Sequence, residues 1–164
     1  MRIRRPAPPD RGGIEAIITS DSTFNAEEVA VALDLVDEAM TDPECGYEIF
    51  VCEDPSVAGA AGVMNGVVGY VCYGPTPMTE GTFDLYWIAS APEVRGQGVG
   101  AALVSAMEGD IRRRKGRLIR VETSAMEAYG PTRGFYAAMQ YREESRFRDF
   151  YKVSEDLIIL AKRL

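Results

Sequence analysis

The chain of 164 residues contains no histidine. That absence removes the Ser-His and Cys-His nucleophile pairs, the imidazole general base and every His-ligated metal site. Cysteine is scarce and odd in number. Cys45, Cys52 and Cys72 form no C-x-x-C pair, so no disulfide framework or zinc knuckle is implied, and a reducing, cytoplasmic setting is the expectation. No run of about 18 apolar residues occurs and no apolar stretch lies near the start, so neither a membrane span nor a secretory signal is expected. Positive charge is missing from half the chain. Residues 12–94 hold no Lys or Arg and fifteen acids, from Glu15 to Glu93. Such a face repels a nucleic-acid backbone and attracts a cationic ligand.

What is present is ordinary globular material, 46% apolar and 26% charged. The length suits one domain over residues 1–164, in which folding buries roughly 70% of the unfolded surface. Net charge is −7, yet residues 95–164 carry fourteen of the eighteen basic residues against nine acids, enough to receive an anion.

A short edge strand is expected over 1–5 and a weak helix over 10–20, where Gly12 and Gly13 disfavour the first turn. Asn25 and Glu28 have capping-box spacing, and Val29, Leu33, Val36 and Met40 form one stripe of the helix behind them, which Asp42-Pro43 ends. Strands are predicted over 47–52, 67–73 and 82–90, with a Gly/Ala-rich turn over 55–65. A loop at 91–100 leads into a helix with Val99, Ala102, Leu103, Ala106, Met107 and Ile111 on one face and Gly116 as its cap. A strand over 117–123, a helix over 132–139 and a final pair over 141–151 and 155–163 complete the chain. The order predicts a mixed α/β (α+β) layer structure, its central sheet largely antiparallel and flanked by helices.

The segment R-G-Q-G-V-G at 95–100 lies between a predicted strand and a predicted helix. Its glycines let backbone N–H groups approach a ligand, and the helix terminus behind them adds partial positive charge. Together they suit a pyrophosphate, with Arg95 at the lip. A Walker loop fails because Gly100 is followed by Ala101-Ala102. A dinucleotide loop is a rival, since Gly96, Gly98 and Ala101 fit G-x-G-x-x-A and Glu122 ends the next strand. Against it, five residues separate Ser90 from Gly96, and the unit starts past mid-chain.

With F-D-L-Y-W-I-A-S-A-P-E-V ahead of that loop and G-F-Y-A-A-M-Q-Y near residue 140, the sequence resembles the GNAT superfamily of N-acetyltransferases. The resemblance implies acetyl-CoA as donor and no metal. Its pyrophosphate would be held by the backbone of Val94, Arg95, Gly96, Gln97, Gly98, Val99, Gly100 and Ala101. The pantetheine arm would run like an added strand along Ile88, Ala89 and Ser90, whose N–H groups would polarise the acetyl carbonyl. Tyr136 aligns with the family's general acid, and Asp84 with a carboxylate base some members carry; Glu122 is the second candidate base. Arg133 is the candidate phosphate contact, whereas Arg112, Arg113, Arg114 and Lys115 suit a helix C-terminus. Tyr129 and Thr132 stand where many members have Asn and Ala, and Gln140-Tyr141 replaces the usual glycine cap. Tyr70, Tyr73, Tyr86 and Trp87 could line an acceptor cleft or simply fill the core.

The implied activity is acetyl transfer to a primary amine, small or peptidic and cationic in bias, by direct attack in a ternary complex. No nucleic acid or membrane partner is expected; a homodimer is compatible with the resemblance. A non-catalytic acyl-CoA sensor and a nucleotide-dependent oxidoreductase are the rival readings.

Overall fold

A computed structural model describes residues 1–20, 24–58 and 63–164. The expected turn over 55–65 therefore lies partly outside the described residues. The elements are β1 (Arg2–Arg4), α1 (Asp10–Ser20), α2 (Ala26–Thr41), β2 (Glu48–Glu53), β3 (Val67–Pro75), β4 (Thr82–Ser90), α3 (Val99–Arg113), β5 (Leu118–Ser124), α4 (Gly130–Ala138), β6 (Arg142–Lys152) and β7 (Glu155–Arg163). The strands form one mixed sheet in the order β1-β2-β3-β4-β5-β7-β6. The β1–β2, β2–β3, β5–β7 and β6–β7 ladders are antiparallel, and β4–β5 is parallel. Contacts divide the chain into two compact units, Met1–Gly74 with Trp87–Asp110, and Pro75–Tyr86 with Ile111–Leu164.

In the first unit, Ile14, Ile17 and Ile18 of α1 are fully buried. Gly13 is an asset there, although glycine costs helix propensity. A Cβ at that position would sit 2.9 Å from both the Met64 carbonyl oxygen and Val67 Cβ, so only glycine lets the helix come this close. The Asn25 side chain accepts from the Glu27 and Glu28 N–H groups while Glu28 accepts from the Asn25 N–H, completing the expected capping box. Such a cap is worth about 1 kcal/mol. Gly69 of β3 gives α3 its seat, since a Cβ there would lie 2.7 Å from Val99 Cγ1 and 3.2 Å from Leu103 Cδ1.

In the second unit, Leu157, Ile158, Leu160 and Ala161 of β7 are buried, whereas every residue of β6 is exposed. The end of α3 departs from expectation. The left-handed residue is Lys115, at φ 60°, and the N–H of Gly116 donates to the Ile111 carbonyl at 2.8 Å. Gly116 is required for space instead: a Cβ there would sit 2.2 Å from Ile111 Cγ2 and 2.8 Å from the Phe83 ring. The same closure ends α4, with Gln140 at φ 68° and the Tyr141 N–H on the Tyr136 carbonyl at 2.9 Å. Gln140 thus takes the conformation a glycine cap would supply, at a cost on the order of 1 kcal/mol.

Candidate functional site

The glycine loop belongs to the first unit. Ala91 and Val94 are buried on one side and Val99 on the other, while residues 95–98 are exposed. The Val94, Arg95 and Gln97 N–H groups close a tight turn onto the Ala91, Pro92 and Val94 carbonyls, and the Gln97 side chain donates to the Glu93 carbonyl at 3.0 Å. Gly96 and Gly98 have φ of +76° and +86°, and a Cβ at either would meet nothing within 4 Å. These glycines are therefore needed for backbone conformation, and their surroundings leave room for a ligand. The first such intrahelical bond of α3 runs from the Ala102 N–H to the Gly98 carbonyl at 2.9 Å. Helix geometry leaves the earlier N–H groups at Val99, Gly100 and Ala101 without intrahelical acceptors, aimed out of the helix terminus where anions bind.

Strand β4 leads into this loop. Its parallel ladder with β5 covers Thr82–Leu85 against Leu118–Val121, the first four of nine residues. Ile88, Ala89 and Ser90 follow that stretch. Trp87 packs edge-on against Phe24 at 5.2 Å. Tyr70 and Tyr73 are core residues, fully buried, and Tyr73 donates to Asp110 at 2.7 Å; Tyr86 is the exposed member of the aromatic set. The Tyr70 hydroxyl has no hydrogen-bond partner among the described residues.

The titratable candidates lie in the second unit. Parallel register puts Asp84 opposite Arg120. Asp84 is 7% exposed, and both its oxygens are engaged: Oδ1 accepts from Arg120 Nε at 2.6 Å, and Oδ2 from the Thr76 hydroxyl at 2.7 Å. Arg120 also reaches Glu122, 3.5 Å from its Nη1, and Glu122 is exposed. Tyr136 is buried between the rings of Phe135 and Tyr141, 5.2 and 5.4 Å away, and burial raises its hydroxyl above the ordinary tyrosine range. Arg133 ties down the turn ahead of α4, its Nη1 donating to the carbonyls of Ser124 at 2.8 Å and Met126 at 2.7 Å. The Thr123 hydroxyl is buried without a hydrogen-bond partner among the described residues.

Sequence reasoning had no access to Thr76, Arg120 or Thr123, because their significance comes from strand pairing and burial. Gly69 carried no motif either. No group of acidic residues and cysteines able to hold a metal ion occurs among the described residues. No helix there is long and apolar enough to cross a membrane.

Residues 45–143 match the family model of the acetyltransferase (GNAT) domain. A solved GNAT-family protein from Desulfovibrio desulfuricans is 38% identical, aligning over 99% of this chain and 98% of its own with a TM-score of 0.88. The ribosomal-protein-alanine N-acetyltransferase of Brucella melitensis aligns over 100% of both chains at 20% identity and a TM-score of 0.73. An aminoglycoside 6'-N-acetyltransferase complexed with coenzyme A aligns over 99% of this chain and 97% of its own at 14% identity and a TM-score of 0.74. The last two likenesses concern the fold. No curated protein matches the chain.

Proposed function

The chain belongs to the GNAT acetyltransferase family, and from that premise we propose that it transfers the acetyl group of acetyl-CoA to a primary amine. The observation that carries the reading is the loop itself, two left-handed glycines in open space ahead of the first N–H groups of α3, which helix geometry leaves without intrahelical acceptors. The donor's pyrophosphate is received by the backbone N–H groups of Gly96, Gly98, Val99, Gly100 and Ala101, while those of Val94, Arg95 and Gln97, expected to share that task, are engaged within the turn and hold its shape. Main-chain groups of Ile88, Ala89 and Ser90, beyond the part of β4 that pairs with β5, serve the pantetheine arm and the acetyl carbonyl.

An alkyl amine with pKa about 10 is neutral about one part in a thousand at pH 7, so a base must take its proton. Of the two carboxylates, Glu122 is the one left exposed to solvent, and it is the base in this reading. Asp84 is held on both oxygens by Arg120 and Thr76, which suits a positioning role. In the reaction the amine nitrogen attacks the thioester carbon, the C–N bond forms and the C–S bond breaks. The amine proton leaves to the carboxylate, directly or through water, and the Tyr136 hydroxyl gives its proton to the departing thiolate. Tyr136 must therefore lose its proton against the effect of burial, which limits its contribution. The acidic stretch 12–94 favours a cationic acceptor, and the chemistry allows either a small amine or a peptide amine.

Calorimetric titration of Gly98→Val with acetyl-CoA tests the loop. Affinity should fall by at least about 10-fold, since a β-branched side chain both opposes φ +86° and fills the open space, while the far-ultraviolet spectrum stays native. Unchanged affinity would sink the reading. Mass spectrometry of an amine panel separates catalysis from mere acyl-CoA binding.

A further inference from the structure

Between the link from β1 to α1, the end of α2 and the start of β2 lies a cavity of about 440 Å³. Small-molecule sites usually measure about 300–1,000 Å³. The cavity is well removed from the donor loop. Phe24, just ahead of the Asn25 cap, packs on Trp87 of the strand that leads into that loop, and the cavity lies at the other end of the 16-residue helix α2. At 1.5 Å per residue that helix is about 24 Å long. Pro6, Pro8, Met40 and Ile49 give the cavity apolar walls.

Its polar groups favour a cation. The guanidinium groups of Arg5 and Arg11 line it, and four carboxylates meet them. Arg5 lies 2.7 Å from Glu48 and 3.5 Å from Asp110, while Arg11 takes Asp37 at 2.8 and 2.9 Å and also Glu15. An anionic ligand would have to displace a carboxylate. The end of α2 adds to the negative side. Ala39, Met40 and Thr41 line the cavity and belong to the last turn of the helix. Pro43 has no N–H to offer the Ala39 carbonyl. The Glu44 N–H goes to Asp42 Oδ1 at 2.9 Å and the Cys45 N–H to the Asp42 carbonyl at 3.2 Å, so Met40 and Thr41 lose their helical donors too. These carbonyls carry the negative end of the helix dipole, and α2 has no basic residue in its last turn to answer it. Burial, and after it the Glu38 carboxylate, raises the Tyr47 hydroxyl above the ordinary tyrosine range, a sign of negative potential at this wall as well.

We propose that this cavity is a second ligand site, separate from the donor loop, that takes a small organic cation. The ammonium group sits on the Ala39, Met40 and Thr41 carbonyls, and the hydrocarbon part lies against Pro6, Pro8 and Ile49. This goes beyond the acetyltransferase reading and does not depend on it. The probe is n-hexylammonium, with hexanoate as its anionic counterpart, titrated into the full chain without acetyl-CoA and followed by amide nitrogen and proton shifts. Hexylammonium should bind saturably with a Kd of about 1 mM or below and shift the amides of Met40, Thr41, Tyr47 and Ile49. Hexanoate should bind at least about 10-fold more weakly. Thr41 is exposed, and Thr41→Lys tethers an ammonium beside the same carbonyls. Its melting temperature should hold or rise, since a cation suits a helix C-terminus, and its affinity for hexylammonium should fall at least about 10-fold. Thr41→Gln, uncharged, should keep the affinity. Absence of saturation, equal affinity for the two ions, an affinity that Thr41→Lys leaves unchanged, or an equal loss in Thr41→Gln overturns the proposal. So do shifts at Tyr86 and Glu122 in place of the cavity residues, which would mark an acceptor site of the acetyltransferase reading instead.

Discussion

Gly69 couples the packing of α3 to the loop that precedes it, and Gly69→Ala puts a number on that coupling. The added Cβ would lie 2.7 Å from Val99 Cγ1, 3.1 Å from the Ala89 carbonyl oxygen and 3.2 Å from Leu103 Cδ1. Val99 and Leu103 are buried at 2% and 0% exposure, and the carbonyl is backbone, so the neighbours can yield only by moving β4 or α3. Overpacking of this kind costs about 1–3 kcal/mol. The lower chain entropy of alanine returns about 0.5–1 kcal/mol, leaving a net loss of up to about 2.5 kcal/mol. For a chain of this size that corresponds to a fall in Tm of up to roughly 10 °C. Gly134→Ala in α4 is the control, since its Cβ meets nothing within 4 Å and its φ is not left-handed. It should gain about 0.5–1 kcal/mol from the same entropy term. Because Val99 opens α3, its displacement should also weaken acetyl-CoA binding in Gly69→Ala and leave Gly134→Ala unaffected. The measurements are urea unfolding and calorimetric titration of both variants. Equal stability and equal affinity in Gly69→Ala and the parent would show that this close approach does not set the position of the loop.

Three further outcomes are expected. Tyr136→Phe should lower kcat by roughly 10-fold or more with little change in acetyl-CoA affinity; equal turnover removes the acid role. Asp10 is bound by Arg4 at 2.5 and 3.0 Å and by the Ala7 N–H at 2.6 Å, which hold its carboxyl below the ordinary 3.8. A depressed folded value stabilises the protein above the unfolded pKa, and that contribution is lost as pH falls through the folded one. Asp10→Asn should therefore be less stable than the parent by on the order of 2 kcal/mol at pH 7. In denaturant titrations the difference should shrink as pH falls below about 4, and a difference independent of pH would refute the linkage. Among the thiols, Cys52 and Cys72 are fully buried, and burial pushes Cys72 up to about 12. Ellman's reagent should titrate Cys45 rapidly and the other two only on unfolding; fast release of more than one equivalent would mean that the β2–β3 core opens readily.

The elements were legible in the sequence where the signal is local. Strand 82–90, helix 10–20 and strand 155–163 emerge at the predicted bounds because alternation, apolar spacing and turn residues lie within one stretch of chain. The Asn25 cap is local too, since its partners lie two and three residues ahead. The glycines divide by what each is for. Gly96 and Gly98 were readable, because a left-handed φ is a property of the residue itself. Gly69 and Gly116 were misread or passed over, because they are needed for space against Val99 and Ile111, neighbours brought in by packing. The same distinction governs the carboxylates. Asp84 and Glu122 look equivalent as letters near strand ends, and nothing in their immediate sequence separates them. What separates them is the parallel register of β4 and β5, which sets Asp84 beside Arg120, 36 residues away, and lets Thr76 take its other oxygen. Asp84 is buried with a guanidinium on one oxygen and a hydroxyl on the other, so both oxygens are already engaged within the protein. Glu122 meets the same arginine only at 3.5 Å and is exposed to solvent, which leaves it open to a substrate. Asp84→Asn should then weaken folding and leave the pH profile of kcat in place, while Glu122→Gln should leave folding intact and abolish the basic requirement of that profile. A profile that tracks Asp84 instead would return the base to the buried strand.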